Sequence, residues 1–139
     1  MEITANALQT VGANQNVLFT ETAVCGNNSI IHRDGSGIVT LRGITNQCRA
    51  RFKVFFSGNI AVPEGGTADA ISLAISVDGE PVPTTTMIVT PAAAEDFFNV
   101  ASAIYLNVPA GCCSRISVTN ISLQDVDVQN ANLIIERVA

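Results

Sequence analysis

The sequence predicts an all-β fold, a sandwich of jelly-roll type, and three observations carry that expectation. Apolar residues recur with a period of two through most of the chain, the mark of strands that bury one face. Turn-forming clusters (Gly26-Asn27-Asn28, Asp34-Gly35-Ser36-Gly37, Pro63-Glu64-Gly65-Gly66) interrupt the alternation about every ten residues, as in sandwiches and jelly rolls. Only residues 90–96 carry a helix-start signature, Thr90 followed by Pro91, and that stretch is short enough to serve equally as a loop.

Taken in order, residues 1–14 read as a short polar lead and residues 15–139 as one folded domain. Short strands are predicted at 17–22, 29–32 and 37–42. A long strand follows at 51–60, with Phe52, Val54 and Phe56 on one side and Arg51 and Lys53 on the other. Gly58 within it marks a bulge or a close backbone approach. Ile71, Leu73, Ile75 and Val77 form one buried face of the next strand, which ends at the Asp78-Gly79 turn. After a β-branched run at 84–90, residues 97–108 place Phe98, Val100, Ile104, Leu106 and Val108 on one face and Asn99, Ala101, Ala103 and Tyr105 on the other. Strands at 115–120 and 129–138 complete the set, and the alternation slips near Asn120, where a bulge or strand end is expected.

The last strand differs from the others. In residues 132–139 apolar side chains fall on both faces, and a strand that is apolar on both faces is covered on both. One cover is the sandwich core; the other is expected to be a neighbouring subunit. The chain stops one residue after Val138, so the C-terminus is expected to end inside the fold. Phe52, Val54, Phe56, Ile104, Leu106, Leu133, Ile134 and Ile135 are the residues expected in core or subunit contacts.

Composition limits the function classes. Charged residues make up 14% of the chain, against a usual share of about 25%, so polar uncharged side chains or other subunits must cover much of the surface. A net charge of −5 with seven basic residues offers no phosphate-neutralising patch for nucleic acid. Six Phe, one Tyr and no Trp leave little material for base-stacking platforms or aromatic-lined sugar sites. No apolar run approaches a membrane span, and no secretion signal follows Met1. Nucleic-acid and membrane partners are therefore not expected. The sequence holds no Gly-x-Ser-x-Gly elbow, phosphate-binding glycine loop or paired-histidine metal motif. Neither an enzyme nor a cofactor is expected.

Three segments carry a family resemblance. The ending, residues 131–139 (ANLIIERVA), resembles the closing strand of the globular domain in collagen-like exosporium glycoproteins, within the tumour-necrosis-factor and complement-globular-head superfamily. Residues 52–60 (FKVFFSGNI) resemble that family's long central strand, and residues 74–83 (AISVDGEPVP) its strand and turn. Similar domains occur in phage structural proteins. The resemblance covers residues 15–139 and implies a ten-stranded jelly roll that forms tight homotrimers, the eight residues above serving as core and trimer contacts. Collagen-like members carry Gly-X-Y repeats before the head, and these residues hold none. The expectation is accordingly a structural knob on a virion surface, as capsid decoration or fibre head, and part of a larger assembly such as a capsid or surface layer. The alternatives are a spore or bacterial surface domain and a head that binds a host glycan or receptor.

Four other groups merit placement. Cys112 and Cys113 lie beside Arg115 and read as a soft-metal or redox site, or as small buried hydrophobes or an intersubunit contact. With no secretion signal all four cysteines read as thiols. His32, next to Arg33 and Asp34, reads as acid–base chemistry or as a hydrogen-bonded strand-end residue. Asp125 and Asp127 could offer oxygens to Ca²⁺, as complement-type heads sometimes do, or stand solvated on one strand face. Arg49, Arg51 and Lys53 form a stripe for an anionic partner, or pair with acidic residues of an adjacent strand or subunit.

Overall fold

The structure, a computed structural model, describes residues 1–139. Its strands are β1 (Glu2–Ala5), β2 (Gln9–Val11), β3 (Glu21–Val24), β4 (Ile30–His32), β5 (Val39–Arg42), β6 (Arg49–Ala61), β7 (Ile71–Val77), β8 (Glu80–Pro81), β9 (Met87–Val89), β10 (Phe98–Pro109), β11 (Cys113–Asn120) and β12 (Val126–Arg137). One 3-10 turn, Pro83–Thr85, precedes β9. They build two six-stranded sheets, paired antiparallel throughout. The first runs β10-β6-β12-β1-β3 with β2 also paired to β12; the second runs β4-β5-β11-β7-β8 with β9 also paired to β7. The result is the two-layer jelly-roll sandwich that the alternation predicts.

The alternation also decides which side chains meet between the layers. Along β6, Ala50, Phe52, Val54, Phe56 and Ile60 are fully buried, while Arg49, Arg51 and Lys53 are exposed. Leu133 and Ile135 of β12 and Leu73 and Ile75 of β7 face the same interior. Phe19 meets Phe56 edge to face, with ring centroids 6.4 Å apart. Ile104 and Leu106 of β10 pack against this core but stay partly exposed, because β10 is the outer strand of its sheet.

The expected polar lead is corrected. β1 is hydrogen-bonded between β12 and β3, and β2 pairs with β12. Ile3, Ala5 and Val11 are buried in the core. Three apolar residues spaced among Thr, Asn and Gln are enough to seat these strands, since only one face needs cover. The strand expected at 17–22 is also redrawn. Val17 donates to the Val118 carbonyl at 2.8 Å in the second sheet, whereas Thr20 donates to the Thr4 carbonyl at 3.0 Å in the first. The segment crosses between the layers, so its side chains bury like a strand's while its hydrogen bonds go to different partners. Residues 90–96 form no helix; Glu95 has a φ of 66° there.

Two irregularities are legible in chemistry. β11 ends at Asn120, where the alternation slips. β12 shifts register against β6 between Gln129 and Asn132, and Gly58 lies opposite, where an added Cβ would stand 3.2 Å from the Phe56 ring and 3.5 Å from Ala131 Cα. Buried polar groups then fasten the ends. Asn120 donates from Nδ2 to the carbonyls of Val11 (3.0 Å) and Gln124 (2.8 Å), and its Oδ1 accepts from Ser122 N at 3.0 Å and from the Ser122 hydroxyl. Thr85 Oγ1 accepts from Ile75 N at 2.9 Å and donates to the Val82 carbonyl at 2.7 Å.

Candidate interaction face

The outer face of the first sheet is built from the residues that alternate away from the core. Register places Ala103 of β10 beside Phe55 of β6, Phe55 beside Ile134 of β12, and Ile134 beside Glu2 of β1. The neighbouring row runs Ala101, Ser57, Asn132. Beyond it lie Asn99, Asn59 and Gln129, with Asn99 Nδ2 donating to Asn59 Oδ1 at 3.2 Å. On the other side of the central row, Tyr105, Lys53 and Glu136 share a row, and Arg51 and Asn107 the next.

This arrangement leaves the β10, β6 and β12 part of the central rows uncharged. Ala101 and Ala103 are exposed, Phe55 is half-buried, Ile134 is 37% exposed and Tyr105 is 64% exposed. Small residues around a few apolar ones let another surface approach closely, and the absence of charge at the centre is what interface cores show. Arg51, Lys53 and Glu136 cluster at one end, and Glu2 stands beside Ile134 on β1, its Oε2 accepting from Asn132 Nδ2 at 2.6 Å.

Of the eight residues expected in core or subunit contacts, Phe52, Val54, Phe56, Leu133 and Ile135 lie in the core and Ile104 and Leu106 at its margin. Ile134 lies outside, on the face just described. Sequence reading missed Phe55, although its signal was present: a second Phe beside Phe56 breaks the polar side of β6.

The remaining groups are placed as follows. Cys112 lies in the turn before β11 and Cys113 is the first residue of that strand, and both are exposed, as are Cys25 and Cys48. The reading of Cys112 and Cys113 as small buried hydrophobes is therefore corrected: a turn and strand end beyond the core have no interior to offer them. His32 has a buried ring whose Nε2 donates to the Ser36 carbonyl at 2.9 Å, and its Nδ1 stands 3.9 Å from Asp34 Oδ1. It is a hydrogen-bonded strand-end residue.

Asp125 and Asp127 do not share a solvated strand face. Asp127 is buried in β12 and accepts a 2.7 Å hydrogen bond from Thr10 Oγ1, while Asp125 is exposed in the preceding loop. No group of three His, Cys, Asp or Glu side chains is placed to hold a metal ion. In the basic stripe, Arg51 Nε donates to Asn107 Oδ1 at 3.3 Å. Lys53 stands opposite Glu136 in register without closing to an ion pair. Cross-strand pairing with an acid within the chain is thus limited to that one juxtaposition.

The two sheets, with the last strand central in one of them, define a jelly-roll domain. Among solved structures the chain is similar to the globular domain of the zebrafish complement 1qA protein. The match is 12% identical, covers 96% of this chain and 93% of that one, and has a TM-score of 0.63. This likeness establishes the fold. A family 35 carbohydrate-binding module from Cellvibrio japonicus overlays 100% of this chain and 99% of its own at 10% identity with a TM-score of 0.41, a loose sandwich likeness from which nothing about binding follows. The chain matches no family model and no curated protein sequence.

Proposed function

We propose that this chain is a non-enzymatic structural protein, a jelly-roll knob that assembles as a homotrimer on a virion surface, as capsid decoration or fibre head. The observation that carries the reading is the outer face of the first sheet. There β12 turns Ile134 outward between Phe55 of β6 and Glu2 of β1, with Ala103 beyond Phe55, while its Leu133 and Ile135 fill the core. A strand already central in its sheet has no structural need for an apolar residue on the solvent side, and covering that face with a second copy supplies one. The charged end of the face, with Lys53, Arg51 and Glu136, favours one relative orientation of copies over others. Stable permanent interfaces of this kind are large and core-like. Placement on a virion rests on the resemblance of residues 52–60, 74–83 and 131–139 to the globular domain of collagen-like exosporium glycoproteins, to which domains in phage structural proteins are similar, together with the lack of Gly-X-Y repeats in these residues.

Size-exclusion chromatography with light scattering at low micromolar concentration tests the assembly. The expected mass is three times the 14.5 kDa of one chain. A monomer overturns the reading. The genes flanking its own test the location: capsid and portal genes support the virion, and sporulation genes move the knob to a spore surface.

A further inference from the structure

The second sheet carries a different feature on its own outer face, opposite the face proposed for self-association. β11 is its floor: Ile116 and Val118 point into the core, so Arg115, Ser117 and Thr119 alternate to the other side, where Arg115 is exposed, Thr119 is half-buried and Ser117 is buried at the bottom of the lining. The segment bearing Asn14 and Asn16, with Ile38 beside it, makes one wall. The Asp78-Gly79 turn between β7 and β8 makes the other. Together these residues enclose a polar groove.

The groove is held in shape by the backbone. Asp78 N donates to the Arg115 carbonyl at 2.7 Å, and Arg115 N donates to Asp78 Oδ1 at 2.9 Å. Asn14 N donates to the Asn120 carbonyl at 2.8 Å. Asn14 and Asp78 are two of only four non-glycine residues with positive φ, at 65° and 52°, and both line this groove. Asn and Asp tolerate that conformation better than other side chains, and here it turns their polar groups toward a common space. Thr119 Oγ1 donates to Asn16 Oδ1 at 2.9 Å and meets Ser76 Oγ at 2.8 Å. That chain fixes the Asn16 amide with its NH₂ side uncommitted.

What remains unused defines the ligand. The Arg115 guanidinium, the Asn14 amide, Asn16 Nδ2, the Ser117 hydroxyl and Asp78 Oδ2 make no hydrogen bond or ion pair within the chain. N–H donors outnumber acceptor oxygens in this set, which calls for a ligand rich in oxygen. The guanidinium fork matches a carboxylate. One guanidinium beside the Asp78 carboxylate balances a single carboxylate better than the several charges of a polyphosphate, and the free Asp78 oxygen accepts from hydroxyl groups. Ile38, 45% exposed, offers an apolar wall to a C–H face. We infer that the groove binds an acidic saccharide, its carboxylate on Arg115 and its hydroxyls on Asn14, Asn16, Ser117 and Asp78. The groove is separate from the self-association face, so either reading can fail alone.

Isothermal titration calorimetry on the full chain tests the site with three acid-bearing probes: sialyllactose, digalacturonate and a hyaluronan tetrasaccharide. Lactose, cellobiose and inorganic phosphate serve as comparators. At least one acidic probe is expected to bind about tenfold more tightly than the neutral sugars and phosphate. Arg115→Met and Asp78→Asn are each expected to weaken that binding about tenfold or more with an unchanged melting temperature and oligomeric mass. Asp78→Asn keeps the oxygen that holds Arg115 N and the tolerance for positive φ, so it separates binding from folding. Silence from all three acidic probes, equal binding of neutral sugars, binding of phosphate alone, or binding that survives both substitutions would overturn the inference.

Discussion

A single buried amide ties three segments together at one end of the sandwich. Asn120 is fully buried, and its side chain reaches Val11, Ser122 and Gln124. Asn120→Ala strands two carbonyl groups and one amide N–H, and each unsatisfied buried group costs about 1–3 kcal/mol. The expected destabilisation is about 3 kcal/mol or more on that scale, read as a lowered urea midpoint with an unchanged slope. A loss below about 0.5 kcal/mol would mean that water replaces the amide. The sequence marks this position only as the place where alternation slips. It does not announce which carbonyls the amide reaches, because those partners come from residues 109 positions earlier and 4 later.

At the scale of the element, β12 separates two roles in adjacent residues. Ile135 is fully buried against the core, and Ile134 looks out from the same strand. Ile135→Asp places a charge among apolar side chains without a partner, which costs several kcal/mol, so the chain is expected to lose its cooperative melting transition. Ile134→Asp is expected to leave the single-chain fold intact by circular dichroism and to convert trimer to monomer in light scattering. A trimer from Ile134→Asp would remove this face from the assembly. The strand's double-sided apolar character was readable from residues 132–139. Other elements were less so. The polar stretch before residue 15 hid β1 and β2, since three buried side chains among many polar ones look like a tail until β12 supplies their hydrogen bonds. Residues 17–20 bury like a strand yet serve as the corner between sheets, a distinction that lies in partners and not in periodicity.

For the whole molecule, closure is the governing feature. The first strand pairs with the last, and β12 also pairs with β6. Deleting residues 132–139 removes the centre of the first sheet and leaves β1 and β6 without a shared neighbour. The truncated chain is expected to be unfolded, with no protected amides in hydrogen exchange; a folded truncated chain would show that β1 and β6 can close the sheet between them. Such non-local pairing also predicts refolding in milliseconds to seconds, as in other all-β sandwiches.

The sequence by itself determined the class of fold, the long strands, the turns between them and the inward side of each, because a period of two is a local property of the chain. It also determined that the last strand carries apolar residues on both faces. The tertiary structure alone decided that residues 1–14 complete a sheet and that Asp127 is consumed by Thr10 while Asp125 stands free. It alone brought Asn14, Asp78 and Arg115 to one groove. Those are relations between residues far apart in the chain, and strand order, which no local pattern encodes, sets which of them become neighbours.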